Sequence, residues 1–220
     1  MITIGIASYN QQEFLPDAIE SALAQNCEVI VCDDGSTDNS LKVAELYKDK
    51  IKIIAKENGG LSSARNACIE QMSGDYFLPL DADDILLDNC VERLENIIKQ
   101  TNADVVAPSF KEFGLSQANV VLMPNPTLED FKTGNRIGYC AAIKKEALRE
   151  VGGYSETMKW GYEDLSLWIK LLTKGKKIIT TPEILWLYRT KVKSMIHDAQ
   201  AHHAELIEII KQETGIQLNF

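Results

Sequence analysis

Tyr76-Phe-Leu-Pro-Leu80 runs directly into Asp81-Ala-Asp-Asp84. A short apolar run closed by acids reads as a strand buried on both faces, with polar groups delivered at its carboxyl end. The same grammar recurs upstream. Ile2 to Ala7 is apolar and ends in Ala7-Ser-Tyr-Asn10; Val29 to Cys32 ends in Asp33-Asp-Gly-Ser36; Ile51 to Ala55 is followed by Glu57-Asn-Gly-Gly60. Helical periodicity fills the gaps, at Phe14 to Gln25, Ser40 to Tyr47, Ser62 to Met72 and Asp88 to Gln100, and Asp104 to Ala107 makes a fifth strand. Strand-helix alternation with short connections predicts a mainly parallel sheet flanked by helices on both faces.

Beyond residue 108 the pattern changes. Residues 110 to 140 predict a hairpin and a loop-rich insertion, with Gly114, Pro124, Pro126, Gly134 and Gly138 as breaks. A helix at Lys144 to Val151, a Gly152-Gly153-Tyr154 turn and a helix near Asp164 to Thr173 follow. Strands at Lys177 to Thr180 and Ile184 to Tyr188 lead to a single terminal helix over His197 to Glu213. We read one domain over 1–220: a binding half at 1–108, a catalytic half at 109–195 and a C-terminal helix at 196–220. The helix either packs on its own domain or docks on a partner, so a homodimer stays open.

The net charge of -9 argues against nucleic acid or anionic lipid as a partner. Cys27, Cys32, Cys68, Cys90 and Cys140 form no CxxC pair and sit in apolar or helix-like stretches, which predicts reduced thiols and a cytoplasmic setting. The amino terminus has no signal-peptide pattern, and no apolar run reaches the length of a membrane span.

In a parallel α/β sheet, ligands bind outside the carboxyl ends of the strands. Four consecutive strand ends carry polar, acidic or Gly-rich groups here, so one shared edge is the expected site. Asp81 and Asp83, one residue apart, project to the same side of an extended segment. Two neighbouring carboxylates call for a cation, and oxygen donors suit Mg2+ or Mn2+ bridging to phosphates. The competing reading is a turn, with Asp84 capping the next helix. Asp33 and Asp34 either accept hydrogen bonds from a base or ribose or form an Asx turn into a helix capped by Ser36 or Asp38. Arg65, after Gly59-Gly60, reaches a phosphate or an acid at a strand end. Glu163-Asp164 suits a helix start; beside Trp160 and Tyr162 it also suits a desolvated general base. His197, His202 and His203 are spaced unlike a metal set and read mostly as surface residues of the last helix, with His197 the exception because it follows Tyr188-Arg189 and Ser194 closely.

Taken in order, these segments resemble the inverting family 2 glycosyltransferases of GT-A fold. The resemblance rests on Ala7-Ser-Tyr-Asn10, Val31-Cys-Asp-Asp-Gly-Ser-Thr-Asp38, Asn58-Gly-Gly-Leu-Ser-Ser-Ala-Arg-Asn66, Gly74 to Asp84, Gly138 to Ala142, Val151-Gly-Gly-Tyr154 and Gly161-Tyr-Glu-Asp164, running from Ile4 to about Ser194. It implies an α/β fold with a mainly parallel sheet and a smaller mixed acceptor-side region in the C-terminal half. It implies that Asp34 reads the nucleobase beside Asp33, that Ala7, Tyr9, Asn10, Gly60 and Arg65 lie along the nucleotide, and that Asp81 and Asp83 are the DxD acids holding Mn2+ or Mg2+, with Asp81 also near the ribose. Asp164 is implied as catalytic base, with Glu163, Trp160 and Tyr162 on the acceptor side.

The implied donor is a UDP-sugar, with GDP and dTDP open. The implied acceptor is a glycan, a lipid-linked sugar or another hydroxyl, in cell-surface polysaccharide synthesis, with the enzyme reaching the inner membrane only through its acceptor. Two departures stand out: residue 7 is Ala, and Thr190-Lys191-Val192 follows Tyr188-Arg189 where the family often has a His, so the first histidine is His197. The rival readings are an Asp-dependent phosphotransferase, on Asp81-Ala-Asp83, and a non-catalytic nucleotide-sugar binder.

Overall fold

The structure is a computed structural model that describes residues 1–192 and 195–220; Ser194, where the sequence resemblance ends, lies outside the described residues. The first unit is β1 (Ile2–Ser8), α1 (Leu15–Leu23), β2 (Glu28–Asp33), α2 (Ser40–Glu45), β3 (Lys52–Ala55), α3 (Leu61–Gln71) and β4 (Tyr76–Asp81). Then come β5 (Ile85–Leu86), α4 (Cys90–Thr101), β6 (Val105–Gly114), β7 (Asn119–Val120), α5 (Leu128–Phe131), β8 (Ala142–Lys144) and α6 (Lys145–Val151). The chain ends with α7 (Glu163–Thr173), β9 (Ile178–Thr190), α8 (Met195–Ala201) and α9 (His203–Thr214).

One sheet runs β3-β2-β1-β4-β8-β6-β9-β5, with β7 on β6. Strands β3, β2, β1 and β4 are parallel, as is the β6–β9 pair, while β8 is antiparallel to both its neighbours. The chain moves outward from β1 through β2 to β3, then returns to place β4 on the other side of β1. That reversal is the switch point at which a parallel sheet opens a crevice. The β4–β8 register covers only Tyr76 and Phe77. Beyond it β4 is paired on one side alone, which accommodates Pro79, a residue with no N–H to give a ladder, and frees the end of β4 for function.

Alternation sorts the strands cleanly onto two cores. Val29, Val31, Leu78 and Leu80 face one layer with Leu15 and Ile19 of α1 and Leu94 of α4. Ile30, Cys32 and Phe77 face the other, with Cys68 of α3 and Trp168 of α7. Gly5 belongs to this fit: a Cβ there would stand 2.3 Å from the Phe77 ring. All five cysteines are free thiols.

Four expectations are corrected. The two C-terminal strands are one, β9, whose register against β6 shifts around Pro108–Phe110, opposite Thr181 to Trp186; Pro182 interrupts the apolar pattern there without ending the strand. The terminal helix is two helices, broken at His202. Asp84 is no helix cap: β5 intervenes, α4 starts from Asn89 without a side-chain cap, and Asp84 is buried. The caps proposed for α2 also fail, since that helix starts from Asn39. Ser36 instead accepts from Asn10 N, and Asp38 accepts from Gln12 N and Ser40 N.

Leu206 and Ile210 of α9 are fully buried in the core shared with α7, so α9 packs on its own domain. Leu206→Ala is therefore expected to cost about 2–5 kcal/mol, measured by urea unfolding. A loss below about 0.5 kcal/mol, the range of ordinary surface changes, would show that α9 is not part of the cooperative unit.

Candidate active site

The carboxyl ends of β1, β2 and β4 open on a cleft of about 720 Å3 whose lining includes Ala7, Tyr9, Asp34, Gly60, Asp81 and Asp83. Lys159, Arg189, Lys191, His197 and Asp198 close its far side. Six residues singled out from separate stretches of sequence thus share one surface.

The loops that follow β1 and β2 are stapled together. Asn10, in the left-handed region (φ 54°), accepts through Oδ1 from Thr37 N at 2.8 Å and Asp38 N at 3.2 Å. Asp34 N donates to Ser8 O at 2.8 Å, which aligns the ends of β1 and β2. Asp34 is buried, and Oδ2 accepts from Gly60 N at 2.7 Å while Oδ1 pairs with Lys56 Nζ at 2.7 Å. Gly60 has φ +91°, a conformation that glycine adopts without strain, and it presents its N–H to Asp34 while opening α3. Asp33 Oδ2 accepts from Ser36 N, an Asx-type turn, while its Oδ1 is buried without a partner. Asp33 therefore shapes the loop and Asp34 faces the cleft.

Arg65 does not line the cleft. It is 1% exposed and spans two carboxylates: Nη2 lies 2.7 Å from Asp81 Oδ1 and Nη1 lies 2.7 Å from Glu163 Oε1. Its guanidinium also stands 4.9 Å from the Tyr139 ring centroid and 5.2 Å from that of Tyr154. Of the two roles open to Arg65 in the sequence, the ion pair with a strand-end acid is the one formed. Burial works against the guanidinium charge, but Asp81 and Glu163 outweigh it and hold the pKa well above its ordinary value.

Asp81 keeps 26% exposure at the cleft floor. Burial raises its pKa to about 6, against the pull of Arg65 and with a further push from Asp83. Asp84 is held deeper, by the Tyr139 hydroxyl and by Arg189 N at 2.7 Å, and burial raises its pKa well above the carboxylate range. Asp83 pairs with Lys191, Oδ2 to Nζ 2.5 Å. Arg65 takes one oxygen of Asp81 and leaves the other for a hard cation, while Lys191 stands at Asp83 where such a cation would also bind. Among the described residues no third His, Cys, Asp or Glu gathers with them. Two carboxylates with the remaining positions left to water and phosphate is a donor set that Mg2+ or Mn2+ accepts, so the residues fit such an ion.

Glu163 and Asp164 open α7 and do not line the cleft themselves; Arg65 ties them to its floor. Asp164 Oδ2 accepts from Asn135 Nδ2 at 2.8 Å. Burial, then the charge of Glu163, raises the Asp164 pKa to about 7, with Asn135 acting the other way. Trp160 stacks on His202 at 4.4 Å, and Tyr162 Oη meets His203 Nδ1 at 3.1 Å. Two of the histidines thus brace Trp160 and Tyr162, and His197 reaches the cleft wall.

Sequence reasoning missed Lys56, Asn135, Tyr139 and Lys191. Two of them left a signal: Tyr139 lies within the Gly138 to Ala142 segment, and Lys191 within the departure after Tyr188-Arg189.

A family model described as glycosyl transferase family 2 matches residues 3–152. The chain belongs to that family. An uncharacterized glycosyltransferase of Rickettsia typhi is 32% identical over 97% of this chain and 69% of its own length. The Escherichia coli UDP-Glc:alpha-D-GlcNAc-diphosphoundecaprenol beta-1,3-glucosyltransferase WfaP is 27% identical over 99% of this chain and 86% of its own length. The crystal structure of S. aureus TarS 1-349 in complex with UDP-GlcNAc superposes with a TM-score of 0.81 at 20% identity, over 96% of this chain and 66% of that one. The fold is therefore the GT-A fold expected from sequence, and the chain spans just under two thirds of this structural neighbour.

Arg65→Ala is expected to destabilise the protein by about 3–5 kcal/mol, because it strands two carboxylates inside the fold. The sign with pH follows from Asp81. Its folded pKa is raised, so the stability this brings is fully present below the ordinary carboxylate pKa and is lost as pH rises through about 6. Without Arg65 that loss deepens, so the deficit in denaturant unfolding should be larger at pH 8 than at pH 5. A deficit that does not change with pH would contradict the bridge.

Proposed function

We propose that the chain transfers a sugar from a nucleotide diphosphate donor, UDP-linked, to an acceptor hydroxyl with inversion at the anomeric carbon, and that Asp164 is the general base. The observation that carries this reading is the Asp81–Arg65–Glu163 bridge: it ties the carboxylates of the cleft floor to the segment that holds an acid poised to exchange a proton near neutrality. The UDP assignment is supported by the printed donor of the E. coli relative and by the ligand of the S. aureus structure.

The roles follow from placement. Asp34 and the Gly59–Gly60 turn receive the nucleoside end of the donor, with Ala7 and Tyr9 along the same wall and Asn10 fixing the loop at Thr37 and Asp38. Asp81 and Asp83 would hold the divalent ion, which supplies charge neutralisation to the diphosphate as it leaves. Asp164 takes the proton from the acceptor hydroxyl, whose oxygen forms the new bond to the anomeric carbon as the bond to the diphosphate breaks. Asn135 keeps the Asp164 carboxylate oriented and limits how far its pKa climbs. Trp160, 40% exposed and backed by His202, offers a flat apolar face to an acceptor sugar. The acceptor class favoured is a lipid-linked sugar, as in the name of the E. coli relative; among the described residues no helix is long and apolar enough to cross a membrane.

Two measurements test this. Asp164→Asn should cut transfer about a hundredfold or more, and the wild-type rate should fall as pH drops below about 7. The same variant should be more heat-stable than wild type at pH 8. The raised pKa gives the wild type stability that is fully present below the ordinary carboxylate pKa and lost by the time pH passes 7, a loss that Asn does not suffer. A variant with wild-type turnover would end the assignment.

In the second, UDP-sugars, GDP-sugars and dTDP-sugars are compared by thermal shift with and without Mn2+. A rise in Tm that needs a UDP-sugar and the ion together is expected. A shift without any turnover in the presence of acceptor lipids would favour the non-catalytic binder.

A further inference from the structure

We propose that Lys191 is a built-in cation of the donor cleft: it neutralises Asp83 while no divalent ion is bound, and moves onto the anionic diphosphate of the donor once an ion takes Asp83. The diphosphate half of this inference rests on the nucleotide-sugar reading above.

Lys191 Nζ lies 2.5 Å from Asp83 Oδ2, at an acid otherwise available to a metal, and both side chains are mostly enclosed, at 28% and 18% exposure. The neighbouring cation is not free to do this work. Arg189 lies 4.4 Å from the Phe14 ring and 4.3 Å from the Phe113 ring, donates from Nε to Asp83 O at 2.8 Å, and its Nη2 stands 3.6 Å from Asp17. Among the described residues Lys191 meets the carboxylate and a more distant Phe14 face, 5.2 Å away.

Its root is fixed where its head is not. Thr190 donates through Oγ1 to Phe113 O and accepts from Ser116 N, so the backbone is pinned one residue before a long, rotatable side chain that lines the cleft. A point charge on such a stem can follow a phosphate oxygen without moving the fold. Lysine and a divalent ion thus compete for one carboxylate, and the loser still faces the anion that the winner brings.

The test compares wild type with Lys191→Met and Lys191→Arg in the full chain. Affinity for Mn2+ alone, without nucleotide, is read from the free-ion electron paramagnetic resonance signal. Affinity for UDP at saturating Mn2+ is read by calorimetry. Lys191→Met should bind Mn2+ about fivefold tighter and UDP about fivefold weaker, the scale of one partly exposed ion pair. Lys191→Arg, which keeps the charge, should stay within about twofold of wild type in both, and so guards against a general structural effect.

Unchanged Mn2+ affinity in Lys191→Met, or no Mn2+ binding by either protein, overturns the competition. Unchanged UDP affinity overturns the diphosphate contact. If wild type binds neither UDP nor GDP even with Mn2+, the donor reading itself fails, and the Mn2+ comparison still decides whether Lys191 guards Asp83.

Discussion

The guanidinium of Arg65 is the fixed point of the molecule. Burying it is unfavourable unless its donors meet acids of good geometry, and here both terminal nitrogens do, at 2.7 Å each. One acid ends the central strand β4 and the other begins α7, 82 residues later in the chain. The bridge therefore sets the separation between the two chemical halves of the site. It also explains the rings of Tyr139 and Tyr154, which lie close to the guanidinium and exclude water from it. Arg65 Nε has no partner among the described residues, a local cost set against the two carboxylates that meet its terminal nitrogens.

Much of this architecture is legible in the order of residues, because a sheet buried on both faces writes itself as short apolar runs with polar ends. The alternation of Val29, Ile30, Val31 and Cys32 between two cores is the reason the run is unbroken. Legibility fails where a local rule meets a tertiary one. Pro182 splits the apolar pattern of β9, yet the register shift against β6 absorbs it. Asp84 has the local appearance of a helix cap, but its partners are Tyr139 and Arg189, which no window around residue 84 contains.

The same divide runs through the site. Acids at strand ends, Asp34, Asp81 and Asp83, announce themselves by position, and one cleft gathers them. Residues that tune them do not. Lys56 on Asp34, Asn135 on Asp164 and His202 behind Trp160 are ordinary polar side chains until the fold brings them to an acid or a ring. Arg65 lies between these classes: its type pointed to an anion, and only the coordinates show that the anion belongs to the protein.

Electrostatics gives the site its direction. Asp81 is raised to about 6 and Asp164 to about 7, chiefly by burial, and burial also lifts Asp84 well above the carboxylate range; the cleft itself sets Asp34, Asp81, Asp83 and Asp198 against Lys159, Arg189 and Lys191. A diphosphate entering alone would add negative charge to carboxylates already resisting ionisation. Asp34 and Asp83 are each met by a lysine, while Asp81 shares its arginine with Glu163. The one acid whose cation is on a long stem beyond a pinned threonine is Asp83. That is where positive charge can be exchanged without rebuilding the floor, and an acidic cleft of this kind can accept an anionic donor only if positive charge arrives with it or is released to it there.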